Sequence, residues 1–133
     1  MMMGERVRRL SLVAGLAAVM IVAAAPLGVT AKDGDIIREG SCSARSDWKL
    51  KLSPEDGRIE VEFEVDQNRV GRTWNVRLKR DGAVFWRGQR TTRAPSGSFE
   101  VRRVISNGAG PDRIVGRAVN PASGEVCRGV ATF

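Results

Sequence analysis

Glu60, Glu62 and Glu64 are the residues of this 133-residue chain whose type and spacing come closest to chemistry. On one face of a strand, side chains two residues apart lie about 7 Å apart. That is close to the separation of acid and base in inverting glycoside hydrolysis. Such enzymes place their two carboxylates on opposite sides of a cleft, whereas a ladder on one strand lines them up on one open face. The ladder therefore reads as a solvated strand face with cationic cross-strand partners, for which Arg77, Lys79 and Arg102 are the candidates. A carboxylate-based hydrolase is kept as a minor alternative. The chain has no His and no Tyr. The lack of His excludes a Ser-His-Asp triad, a Cys-His dyad and His-ligated zinc. There is no Gly-rich phosphate loop. No catalytic residue, cofactor or metal is expected, and the reading is a non-enzymatic one.

Cys42 and Cys127 are the other reactive residues, and the compartment decides what they are. Arg6, Arg8 and Arg9 precede an uncharged apolar run from Leu10 to Ala25, and Val29-Thr30-Ala31 puts small residues before Lys32. This is the pattern of a secretory signal peptide over residues 1–31. The apolar run is 16 residues, short of the roughly 20 that a spanning helix needs. Membrane association is expected only if the leader stays on. An even cysteine count in an exported chain predicts a disulfide between Cys42 and Cys127. The expected location is extracellular or associated with the cell envelope. There is no C-x-x-C, and no His to lower a thiol pKa, so a redox role has no support.

The elements that must position these residues are strands. Residues 32–41 are polar and read as a flexible N-terminal arm, in which Asp33-Gly34-Asp35 reads as a solvated turn. Residues 42–133 read as one domain with period-two alternation and turn signals every eight to twelve residues. Trp48, Leu50 and Leu52 alternate with lysines. Ile59, Val61, Phe63 and Val65 alternate with the glutamates. Trp74, Val76 and Leu78 alternate with Asn75, Arg77 and Lys79, and Asp81-Gly82 follows as a hairpin turn. A slip of pattern at Arg102-Arg103 predicts a bulge. The count is about seven strands, which predicts an all-β, antiparallel, seven-stranded sandwich of immunoglobulin or fibronectin type III-like kind.

Two resemblances accompany this reading. Arg117-Ala118-Val119-Asn120-Pro121-Ala122-Ser123-Gly124 resembles the sixth strand and following loop of fibronectin type III domains. Asp112 stands where that family carries a Tyr, so the resemblance implies architecture alone. A broader likeness is carried by the leader, by Gly40-Ser41-Cys42, by the strands at 48–53 and 59–66, and by 125–131. On these residues the chain resembles small secreted actinobacterial proteins of unknown function, and the likeness implies no activity.

Charge is the remaining signal. Without residues 1–31 the net charge is +5 rather than +7. Residues 55–66 hold six acidic side chains and one basic one, whereas residues 69–103 hold ten basic and two acidic. That surplus predicts a basic face on one sheet, suited to anionic partners. If Asp81-Gly82 is a two-residue turn, Trp86 joins Arg77, Lys79 and Arg90 on an outer face. If the turn has three residues, the register shifts by one and Trp86 enters the core. Arg77, Lys79, Trp86 and Arg90 are accordingly the candidate ligand-binding residues. Anionic envelope polymers are the expected partners, with docking to another exported protein as the alternative. Nucleic acid is not expected, and the chain is expected to be a monomer.

Overall fold

The computed structural model describes residues 31–133. Apart from Ala31, the leader reading concerns residues outside that range. Eight strands follow one another: β1 (Ile36–Ser41), β2 (Asp47–Glu55), β3 (Arg58–Asp66), β4 (Thr73–Arg80), β5 (Ala83–Thr91), β6 (Ser98–Ser106), β7 (Arg113–Val119) and β8 (Val126–Thr132). They form two antiparallel four-stranded sheets, ordered β1-β2-β3-β6 and β5-β4-β7-β8. The fold is an all-β sandwich, and no helix among the described residues is long and apolar enough to cross a membrane.

The count is eight rather than seven because part of the expected arm is a strand. Ile36 pairs with Leu52 and Ser41 with Asp47, so β1 adds an edge to the first sheet. In the turn before it Asp33 and Gly34 are solvated as expected, but Asp35 is not. The Asp35 carboxylate is buried beside Ser53, accepts from the Lys32 backbone N–H at 2.8 Å and lies 3.7 Å from Lys51 Nζ. Local composition marks this stretch as polar, but β2 already exposes a free ladder edge that the stretch can pair with.

β2 also runs further than its Pro54 suggests. Its ladder with β1 ends at Leu52, so on that side no partner asks Pro54 for an N–H. The chain reverses instead at Asp56-Gly57, with Glu55 opposite Arg58 and both turn residues at positive φ. The predicted bulge at Arg102-Arg103 is absent. The β3–β6 register runs unbroken through Arg102 opposite Glu62 and Arg103 opposite Val61. Arg103 interrupts the apolar pattern because β6 is an edge strand, where an inward cation can reach out past the core.

The core lies between the sheets. Leu50, Leu52, Ile59, Phe63, Trp74, Leu78 and Ile114 are fully buried. Trp48 fills the space beside the first sheet's outer edge. A Cβ on Gly129 would sit 2.5 Å from its ring and one on Gly40 2.8 Å, so this indole requires glycine on both strands it touches.

The two open sides of the sandwich are closed differently. On one side a disulfide joins Cys42, in the β1–β2 connection, to Cys127 of β8. The buried Glu125 carboxylate there accepts from the Ala44 and Ser46 N–H groups and the Ser46 hydroxyl. Ser43 exchanges two further hydrogen bonds with Val126. On the other side β5 faces β6 with no covalent tie, and Trp86 fills the seam.

Candidate functional site

Trp86 reaches that seam through a compromise between the two expected turns. Asp81-Gly82 is the two-residue turn, with Arg80 opposite Ala83 and φ of 47° and 85°. The ladder then slips: Lys79 pairs with Val84 but Leu78 pairs with Trp86, which leaves Phe85 as the extra residue of a bulge. Trp86 therefore shares the inward side with buried Leu78. The Arg90 and Arg103 guanidinium carbons lie 4.7 and 4.8 Å from its ring centroid, one from each sheet.

Arg77 and Lys79 point the other way, onto the outer face of the second sheet. The four candidate residues thus do not form one surface. Arg77 stands opposite Arg87 on β5 and opposite Arg117 on β7, and Arg117 stands opposite Arg128 on β8. One row of four arginines crosses the whole sheet. With neighbouring strands about 4.8 Å apart, the row is roughly 14 Å long. Lys79 and Arg113 lie on the same face, beside the row.

The face carries no carboxylate at any outward position of its four strands. Among the described residues, none of these six cations makes an ion pair. The row is flanked by Val84, Val115 and Val130 on one side and by Val119 and Val126 on the other. Val115 points outward yet is only 7% exposed. Arginine stems cover apolar surface while their heads stay in water. A shallow cavity of about 150 Å³ opens here, lined by Arg77, Lys79, Arg113, Val115, Arg117 and Arg128.

Like charges placed directly opposite on neighbouring strands destabilise by roughly 0.2–1 kcal/mol per pair. Three such pairs stand in one row, offset only by the apolar surface that the stems cover. A row of this kind presents forked donors to oxyanions, because guanidinium matches phosphate and carboxylate bidentately.

The outer face of the first sheet is the opposite case. Glu60 is paired with Arg102, whose hydrogen bond holds its carboxyl below the usual range. Glu62 lies 3.4 Å from Lys51 and 3.8 Å from Arg102. Burial pushes its carboxyl up, against the pull of Lys51. Burial opposes the Lys51 charge too, but Glu62 and Asp35 together hold its pKa above the ordinary value. Glu64 stands between Lys49 and Glu100. Of the three partners the sequence suggested for the ladder, Arg102 is in place, whereas Arg77 and Lys79 belong to the other sheet. The cavity that Glu62 and Glu64 share is only about 60 Å³, and the two larger open ones that Glu64 lines, about 660 and 550 Å³, include neither Glu60 nor Glu62.

Arg87, Arg117, Arg128 and Arg113 were not among the residues singled out from the sequence. Alternation places Arg117 and Arg128 outward, because Ala118 and Cys127 beside them are apolar. Their alignment with Arg77 depends on pairing between β4 and β7, which no local pattern shows. Comparisons with protein-family models, with curated proteins and with solved structures found no match. The functional reading therefore rests on the geometry of the two faces.

Proposed function

We propose that this chain is an exported, non-enzymatic binding module that captures an anionic polymer of the cell envelope on the outer face of its second sheet. One observation carries the reading: four arginines cross that sheet in register, on a face with no carboxylate to neutralise them. Capture is electrostatic, with valines bracing the arginine stems. Teichoic acids and acidic polysaccharides have the required chemistry. The disulfide suits the oxidising compartment that this role needs.

We infer an immunoglobulin-like strand order as well. Counted from β2, the order β2-β3-β6 against β5-β4-β7-β8 corresponds to an immunoglobulin-like series in which the fourth strand has joined the other sheet. β1 is then an addition before the first strand.

A second reading, docking to another exported protein, is favoured by Val70, which is 57% exposed at the tip of the β3–β4 loop. The loop is held firmly. Gly71 N–H donates to the Thr92 carbonyl, and the Thr92 hydroxyl donates to the Arg69 carbonyl.

The two readings separate by salt. The oxidised protein is titrated with purified teichoic acid and with polygalacturonate over a salt series. The first reading expects binding at low ionic strength that falls steeply with salt. Absence of binding at low ionic strength overturns it and leaves the Val70 loop as the surface to pursue.

A further inference from the structure

The arrangement of the cations, rather than their number, says how a ligand lies. The outer face can be described as rows running across the strands. One row is Gln89, Asn75, Val119 and Val126, with no charge. The next is Arg87, Arg77, Arg117 and Arg128, with four. The next is Val84, Lys79, Val115 and Val130, with one. A chain lying along a strand meets at most two cations, Arg77 and Lys79 on β4 or Arg117 and Arg113 on β7. A chain crossing the strands along the central row meets four.

We infer that the ligand is a linear chain of closely spaced phosphate groups that lies across the strands, along the line Arg87–Arg77–Arg117–Arg128. This rests on the basic-face reading of the function. Phosphate suits the site because each arginine fork can take two of its oxygens, and because the arginines follow one another at about 4.8 Å. A bilayer surface fits less well. Four of the six cations follow one line, and Val115 is already covered rather than offered for insertion.

The test compares two double variants that remove the same charge from the same face. Arg87→Gln with Arg128→Gln shortens the row from both ends. Lys79→Gln with Arg113→Gln leaves the row whole. Long-chain polyphosphate, tripolyphosphate and pyrophosphate are titrated against each oxidised protein at low salt, and thermal melting confirms that each variant is folded. The inference expects the row-end pair to lose about tenfold in affinity for the long chain and the off-row pair less than about threefold. It also expects the wild-type preference for long chain over pyrophosphate to shrink only in the row-end pair.

Equal losses in the two pairs overturn the crossing orientation and leave the basic face as the binding surface. Binding by the wild type that neither pair weakens overturns both. Absence of polyphosphate binding while polygalacturonate binds overturns the phosphate assignment alone. Tighter binding to phosphatidylglycerol vesicles than to polyphosphate, with equal losses in both pairs, makes the partner a membrane and overturns the inference.

Discussion

Arg77 and Arg117 stand directly opposite each other on β4 and β7, the two central strands of a sheet whose outward positions include no carboxylate. Neighbours of like charge at the centre of a sheet work against the fold. Their counterparts on the central strands of the other sheet, Lys51 and Glu62, are of opposite sign and form an ion pair. One sandwich therefore has one outer face with ion pairs within it and one whose cations have none.

Removing a central cation should separate stability from binding. Arg117→Gln is expected to raise the unfolding free energy by about 0.3–1 kcal/mol at low salt, since it relieves two opposed pairs. The same change is expected to lower affinity for a polyanion. Urea denaturation with and without salt checks the first part. A stabilising effect that disappears in salt identifies it as electrostatic, whereas a loss of stability would mean that the row is neutralised in some other way.

Trp86 should behave in the opposite manner. It packs against the core at the β5–β6 seam, flanked by Arg90 and Arg103. Trp86→Ala is expected to destabilise by about 2–4 kcal/mol, somewhat less than truncation of a fully buried large aromatic because the indole is half-buried. Polyanion affinity at the arginine row is expected to change by less than about twofold, because the ring faces away from that surface. A large loss of affinity in a variant that still melts cooperatively would bring the seam into the binding site.

The first sheet predicts the pH profile of stability. The Ser53 hydroxyl lowers the Asp35 carboxyl against its burial, with help from the Lys32 N–H and Lys51, and Arg102 lowers Glu60. A carboxyl depressed on folding contributes stability above its ordinary value, and that contribution is lost as pH falls through the lower folded value. Acid loss from these two groups is therefore expected below their ordinary values of 3.8 and 4.5. Glu62 has the reverse sign. Burial raises its carboxyl, so protonation just above its ordinary 4.5 adds stability. Lys51 is raised by Glu62 and Asp35 against burial, so its contribution is complete below 10.5 and lost above. Urea midpoints against pH should show a small rise on descending toward pH 4.5 and a fall beyond it. Glu62→Gln should remove the rise and weaken the alkaline contribution of Lys51.

The disulfide closes a loop of 85 positions. Reduction, or Cys42→Ser with Cys127→Ala, is expected to lower stability by about 4–5 kcal/mol in the chain-entropy account. For a domain of this size that is a large share of the whole. Chemical denaturation of the oxidised and reduced protein measures it. A loss under about 1 kcal/mol would mean that Glu125 and the Ser43–Val126 hydrogen bonds hold the β1–β8 side without the bond.

Much of the fold can be read locally. Period-two alternation and turn residues mark seven of the eight strands, because each of those signals acts over two to five neighbouring residues. β1 escapes such a reading because Ile36–Ser41 does not alternate, and what makes it a strand is the free edge of β2. The bulge at Phe85 escapes it too. A two-residue turn predicts Trp86 outward, and only the demand of the seam for a large apolar side chain turns it inward.

The candidate site divides in the same way. The alternation of Arg77 with Val76 and Leu78, and of Arg117 with Gly116 and Ala118, is a property of the sequence alone, and it determines that these side chains face solvent. The strand pairing decided that they face solvent in one row. β4 and β7 are neighbours only because β5 and β6 lie between them in the chain and not in the sheet. Register between strands so distant in sequence is set by packing of the buried faces, Leu78 against Gly116 and Val76 against Ala118. The arginines on the other side of the same strands are carried into line by that packing.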